Sequence, residues 1–159
     1  MSNLRTIASP KELSAWVGEE IAFSEWIAIE QERIAQFAEV TGDRQWIHID
    51  AERAARESPY KATVAHGYLT LSLLPMIFSE SLHVENLGMT INYGLDRVRF
   101  PAPVRSGQRI RGRVVLERLE PISGGVQAHW LATIEIEHGD KPACIAQMLT
   151  RYYDAPQTR

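Results

Sequence analysis

The sequence predicts an α+β domain in which one curved antiparallel sheet wraps around one central helix. Three observations predict it. Gly67 to Leu82 is apolar nearly all round (Tyr68, Leu69, Leu71, Leu73, Leu74, Met76, Ile77, Phe78), and a helix without a polar face is a buried helix. Most of the chain from Met89 to Tyr153 alternates with period two, as strands with one covered face do. The residues before Gly67 show helical spacing and loops instead. Long antiparallel strands need cover for their apolar face, and the apolar helix is the segment able to give it.

In chain order, Lys11 to Val17 reads as a short helix, and Gly18 opens Ile21 to Ile29, a first strand. Glu30 to Thr41 places Ile34, Phe37, Ala38 and Thr41 at helical spacing. Glu30 and Glu32 suit the positive end of its dipole. No Ser, Thr, Asp or Asn caps it, so its start is soft, whereas Gly42 supplies a left-handed stop. Asp50 caps Ala51 to Arg56, and Ser58-Pro59 breaks that helix. Pro75 predicts a kink or a change of helix inside the apolar segment. Met89, Ile91, Tyr93 and Leu95 alternate, but Val98 and Phe100 fall in the opposite phase, which requires a bulge near Gly94 to Arg97. Ile110, Gly112, Val114 and Leu116 share one face, with Arg109, Arg111, Arg113 and Glu117 behind them. Ser123-Gly124-Gly125 turns into the apolar face Val126, Ala128, Trp130, Ala132, Ile134 and Ile136. Gly139-Asp140 turns into a last strand, about Pro142 to Tyr153. The polar tail, Ala155 to Arg159, is expected to fray.

Composition narrows the function. With 159 residues, the expectation is a single domain, 1–159, with one core. A net charge of −3 gives no basic field for nucleic acid. The lone Cys144 makes neither an internal disulfide nor a zinc cluster, which suits a reducing cytoplasm. Met1 to Pro10 lacks the apolar core of a signal peptide. The most apolar run, Tyr68 to Phe78, is too short for a membrane span, which takes about 20 residues.

The chemistry concentrates in Thr41-Gly42-Asp43-Arg44-Gln45-Trp46-Ile47-His48. An acid–base reaction needs one group to hold or deprotonate water and another to move a second proton. His48 has the right intrinsic range, while Asp43 would need burial to carry protons near neutrality. Spacing alone leaves open a structural Asx turn and a core histidine. The second feature is Ala65-His66-Gly67. A glycine there offers a backbone N–H for close approach at a helix start, or only tight packing; His66 reads as a backbone-bonding side chain.

These motifs together resemble the MaoC-type dehydratases, or (R)-specific enoyl-CoA hydratases, of the hot-dog fold. Their pattern commonly reads G-D-x-N-P-x-H followed by H-G. Here Gln45-Trp46 replaces Asn-Pro. That variant, with Ile91-Asn92-Tyr93-Gly94-Leu95 and Val98-Arg99-Phe100-Pro101-Ala102-Pro103-Val104, is similar to the nodulation protein N-like subgroup. The resemblance covers about residues 15–153. It implies that Asp43 and His48 activate water, that the Gly67 N–H polarises a thioester carbonyl, and that Gly67 to Leu82 is the hot-dog helix. The implied reaction is reversible syn addition of water to a trans-2-enoyl thioester. The Gln45-Trp46 variation bears on loop shape and pocket width.

The resemblance also implies a homodimer and an acyl thioester substrate carried on coenzyme A or an acyl carrier protein. No cofactor is expected beyond the substrate's own coenzyme A or phosphopantetheine. Trp46 and Tyr60 are candidates to shape the acyl tunnel, or loop staples. Asn92 and Tyr93 are candidates to line the acyl pocket, or core packing. Arg97 and Arg99 are candidates for a ligand phosphate or an interface, whereas Arg109, Arg111 and Arg113 read as a solvated face. A metal site from Asp43, His48 and His66 lacks local ligand spacing and is not expected. A hot-dog thioesterase would want a lone acid on or near the central helix, where only Glu80 occurs, late in the segment. A non-catalytic acyl-thioester binder would have no need of the Asp43–His48 pair.

Overall fold

The computed structural model describes residues Leu4 to Pro156, so of the tail expected to fray only Ala155 and Pro156 fall among the described residues. Strand β1 (Arg5–Ile7) leads into a 3-10 helix (Pro10–Trp16) started by its proline and anchored by the fully buried Leu13. The expected first strand is two short pieces, β2 (Glu20–Phe23) and β3 (Ile27–Ala28), both paired with β6 (Arg109–Ile122). Between them the Ser24 hydroxyl accepts from the Gly112 N–H at 3.0 Å, so the polar interruption is satisfied inside the sheet.

Helix α1 (Gln31–Thr41) buries Ile34 and Ala38 and stops at Gly42, whose φ of 77° closes the helix with an N–H to the Ala38 carbonyl. Glu30 gives no side-chain cap, as the sequence suggests. A single turn, α2 (Trp46–Ile49), follows, which sequence reading leaves inside a loop. Asp50 then caps α3 (Ala51–Glu57) by accepting from the Arg53 N–H at 2.9 Å.

The apolar segment forms α4 (Gly67–Ser72) and α5 (Leu74–Ser81), broken at Leu73 with Pro75 in the first turn of α5. Its last residue belongs instead to β4 (Leu82–Val84), which pairs in parallel with β1. The large sheet adds β5 (Leu87–Arg99), β7 (Gly125–Ile136) and β8 (Cys144–Asp154), in the order β2-β6-β7-β8-β5 and antiparallel throughout. Leu74 and Ile77 of the helix meet Val114, Leu116, Trp130 and Ile134 in the core, with Phe78 against the Trp130 ring at 5.1 Å. Gly112 permits the close seat: a Cβ there would lie 2.6 Å from Ile77. Cys144 is fully buried, which pushes its thiol up to about 11 and makes it inert. No helix among the described residues is long and apolar enough to cross a membrane.

Strand β5 departs from expectation. Its register shifts between Asn92 and Gly94 and between Leu95 and Arg97, as the phase change requires. Yet its alternating Met89, Ile91, Tyr93 and Leu95 are exposed. The reason is the face they occupy: Met89 and Ile91 pair with Tyr153 and Arg151, and Tyr93 lies under Arg151, on the side of the sheet turned away from the helix. The register shifts put Leu95 opposite Met148 on the helix side, where the outermost strand is only partly covered. The arginine face of β6 is solvated as expected, with Arg111 and Arg113 bonded to Glu135 and Arg113 also to Glu20.

Candidate active site

Asp43, His48 and His66 converge although the sequence separates them: each offers a polar atom, all within 4.8 Å of one another. Three local devices bring them there. Gly42 turns the chain out of α1, and the Asp43 carboxylate accepts from the Gln45 N–H at 3.4 Å. The α2 turn then swings His48 inward, where it is 7% exposed. His66 caps α4 by position, is 3% exposed, and precedes Gly67, the first residue of that helix.

The hydrogen bonds fix both histidine tautomers. His48 Nδ1 lies 2.6 Å from the Val64 carbonyl. A carbonyl only accepts, so Nδ1 carries the proton and, in neutral His48, Nε2 keeps its lone pair. His66 Nε2 donates in the same way to the Asp43 carbonyl at 2.9 Å. The two imidazoles stack at 3.7 Å with planes 23° apart, and Phe37 closes on His66 at 5.0 Å. His66 Nδ1 is buried and has no hydrogen-bond partner among the described residues. Burial holds His48 below its ordinary range; the bond to Val64 opposes that shift, His66 adds to it, and Asp43 opposes it.

The support under His48 was not legible in the sequence. Gln31 donates through Nε2 to the His48 carbonyl at 2.8 Å, and its Oε1 accepts from the Thr63 hydroxyl. Val64 and Ala65 are pinned by N–H bonds to the carbonyls of Ile47 and Val104. Gln31 thus ties the start of α1 to both segments that hold the ring. Its partners lie far along the chain, so no local pattern marks it.

Gly67 faces Phe100, whose ring would lie 3.0 Å from an added Cβ. As the first residue of α4 its N–H has no acceptor within the helix. Asp43 itself is exposed, contrary to the burial its role would need; none of the described residues buries it. Trp46 shares the α2 turn with His48 and carries the Arg53 guanidinium over its ring at 4.3 Å. Tyr60 sits in the loop after α3, 40% exposed, with its N–H bonded to the Ser58 hydroxyl.

Of the β5 candidates, Asn92 points to the helix side. It lines two adjoining cavities of about 220 and 400 Å³, which share Asn92, Pro75 and Met148 as walls. Tyr93 lies under the Arg151 guanidinium at 3.3 Å. Arg97 and Arg99 pair with Gln147 and Ile145, on the face turned away from the buried Ala146 and Met148. The fold does not bring these two arginines to the histidine cluster.

The cluster is better suited to acid–base work than to a metal. An ion must lie near the plane of each imidazole at about 2.0–2.1 Å from nitrogen. Two stacked planes tilted by only 23° do not meet at that distance.

Comparison with known proteins shows the family to which this chain belongs. The family model described as "MaoC like domain" matches residues 12–131. The 3-hydroxyacyl-thioester dehydratase Z of Mycobacterium tuberculosis is 45% identical over 150 residues, spanning 94% of this chain and 99% of that protein. Nodulation protein N of Rhizobium leguminosarum bv. viciae is 44% identical over 145 residues, 90% of each chain. Among solved structures, the R-hydratase PhaJ1 from Pseudomonas aeruginosa superposes with a TM-score of 0.69 at 21% identity, covering 85% of this chain and 87% of that one.

Proposed function

This chain belongs to the MaoC-like domain family, and on that premise we propose that it is a hydro-lyase acting on acyl thioesters: an (R)-specific 2-enoyl-thioester hydratase and, in reverse, a 3-hydroxyacyl-thioester dehydratase. The observation that carries the reading is the His48 tautomer. With Nδ1–H held by Val64, Nε2 is left as a proton acceptor, in a ring that has a nitrogen within 4.8 Å of an Asp43 carboxylate oxygen.

In the hydration direction Asp43 and His48 Nε2 hold one water between them. Asp43 takes a proton as the water oxygen bonds to C3 of the enoyl group. The C2–C3 π electrons move toward the thioester oxygen, which the Gly67 N–H stabilises. The resulting enolate collapses as C2 receives a proton from the same face through the His48–Asp43 pair, giving the 3-hydroxyacyl thioester. Positioned acid–base groups of this kind contribute about 10²–10⁴ in rate. The reaction uses no cofactor or metal; coenzyme A or phosphopantetheine belongs to the substrate, and an acyl carrier protein is the possible macromolecular donor. Trp46 and Tyr60 flank the entrance in this reading, and Arg97 and Arg99 serve an interface or carrier rather than the acyl group. The reaction belongs in the cytoplasm, which the single buried thiol suits.

The working unit is a homodimer. β5 ends the sheet with a 13-residue edge whose Met89, Ile91, Tyr93 and Leu95 are exposed, and such an edge invites strand pairing. Tyr68, 72% exposed beside Gly67, and Phe100 extend the apolar surface toward the site. A second copy pairing along β5 would cover both and give Asp43 the shielding it lacks in one chain.

Crotonyl-CoA hydration, followed as loss of the conjugated-enoyl absorbance, tests the reading. Wild-type turnover that collapses in Asp43→Asn and His48→Gln is expected. Thiol release without hydration would point instead to a thioesterase, and saturable binding without turnover of short or long enoyl thioesters to a binding subunit. Neither is favoured: Glu80, the one acid of the central helix, is exposed near the end of α5, away from the cluster.

A further inference from the structure

Gln45-Trp46 is where the chain departs from the Asn-Pro of the pattern it otherwise resembles. Trp46 is the first residue of α2, the four-residue turn that carries His48. Such a turn has little to hold it by itself, since isolated helices shorter than about 12–15 residues are marginal in water. Its backbone bonds run from the His48 N–H to the Gln45 carbonyl and from the Asp50 N–H to the Trp46 carbonyl, both at 2.9 Å. Gln45, at its N-cap, adds no side-chain bond.

Arg53 supports the turn twice. Asp50 is both the C-cap of α2 and the N-cap of α3, and its carboxylate accepts from the Arg53 N–H at 2.9 Å. The side chain of the same Arg53 reaches back to α2, where its guanidinium stands over the Trp46 indole at 4.3 Å from the ring centre. Glu57, one turn further along α3, accepts from Arg53 Nε at 2.8 Å and holds the guanidinium in place. A planar, permanently charged guanidinium suits an indole face. The corner between the two helices is thus closed once through the Arg53 backbone and once through its side chain.

Proline at the first position of a helix would set the same backbone without a partner, because its ring fixes φ near the helical value. The site is ready for one. Gln45 has φ −58° and ψ 136°, the extended conformation that a residue before proline needs. The first N–H of a helix has no acceptor within it. Tryptophan leaves φ free, and here a cation on α3 takes over the constraint.

We infer, resting on the hydratase reading above, that Arg53 is a positioning residue for the reaction. Through its stack on Trp46, steadied by Glu57, it fixes the α2 turn and with it the place of the His48 ring beside Asp43.

The test is a double-mutant cycle. Wild type, Arg53→Ala, Trp46→Pro and the double variant are compared for kcat and KM with crotonyl-CoA, and for hydrogen exchange of the His48 and Asp50 amides by NMR. Arg53→Ala is expected to lower kcat by about two- to fivefold, the equilibrium weight of an exposed cation–π contact, with KM little changed. Exchange of the two amides should quicken by a similar factor. Arg53→Lys, which keeps a cation for the ring, should recover part of both effects. With Trp46→Pro already in place, Arg53→Ala should change neither readout further. Trp46→Leu, which removes the ring without adding proline, is a second background with the same expectation. An Arg53→Ala loss of equal size in all backgrounds would overturn the inference and assign the loss to α3 itself. Unchanged amide exchange in Arg53→Ala would overturn it too. The exchange measurement needs no turnover, so the two readings fail separately. Coupling of Arg53 to the amides in a protein that hydrates no enoyl thioester would refute the hydratase reading and keep the support of the His48 turn; turnover without that coupling would refute the support alone.

Discussion

The imidazoles of His48 and His66 stack face to face at 3.7 Å, although each ring is anchored to a different segment of backbone. His48 is held by the Val64 carbonyl, two residues before His66, and His66 is held by the Asp43 carbonyl, five residues before His48. Each histidine is thus fixed by the other's neighbourhood, and the two loops interlock. His66 is a positioning residue in this arrangement. His66→Ala is expected to keep its fold by circular dichroism and to lose about 10²-fold in kcat, the scale on which a misplacement of about 1 Å acts. His66→Asn, able to donate one bond, should recover part of that loss.

Burial lowers the pKa of His48 from its ordinary 6.5. The proton-accepting form therefore survives into mildly acid solution, and the acid limb of the kcat/KM profile is expected below 6.5. Stability has a matching sign. The unfolded chain binds this proton more readily than the folded one, so the His48 contribution is fully present above 6.5 and is lost as pH falls toward the folded-state value. Thermal unfolding followed across that interval should show a declining Tm on acidification that is shallower in His48→Gln.

Gly67 gives a test of the backbone donor itself. Proline is tolerated at the first position of a helix, and His66 already has the extended conformation (φ −59°, ψ 138°) that a residue before proline needs. Gly67→Pro removes the N–H and should lower kcat by about 10²–10³. Gly67→Ala presses on Phe100 equally but keeps the donor. A smaller loss in alanine than in proline is the expected result in steady-state kinetics, and equal losses would assign the effect to Phe100.

Removing Gln31 should separate support from chemistry. Gln31→Ala deletes bonds to the His48 carbonyl and the Thr63 hydroxyl, and Thr63 is 3% exposed. Denaturant unfolding is expected to show a loss of about 1–3 kcal/mol, with kcat reduced more than KM is raised.

The β5 edge should respond to a single charge. Ile91→Lys places a cation on the outermost strand, a device that natural edges use against pairing. Sedimentation is expected to shift from dimer to monomer, with enoyl-thioester turnover falling in parallel.

Much of the fold was legible because its signals are local. The all-round apolarity of Gly67 to Leu82, the stop at Gly42, the Asp50 cap and the phase change in β5 each follow from a few adjacent residues. The α2 turn was not legible, since a single turn has no periodicity to read. The exposure of Met89, Ile91 and Tyr93 was not either, because alternation marks two strand faces but not which of them the helix covers. At the candidate site, motif spacing picked out Asp43, His48 and Gly67. Gln31, and the stack that makes His66 more than a backbone bond, depend on contacts between distant segments.

Asp43, His48 and Gly67 all fall in one stretch of 25 residues, whereas the larger cavity that Asn92 lines is built from residues 75–92 and 148–152. The histidine cluster and that cavity are thus written in separate paragraphs of the gene. Drift in β5 and β8 can reshape the cavity while the loops that hold the two stacked rings stay untouched.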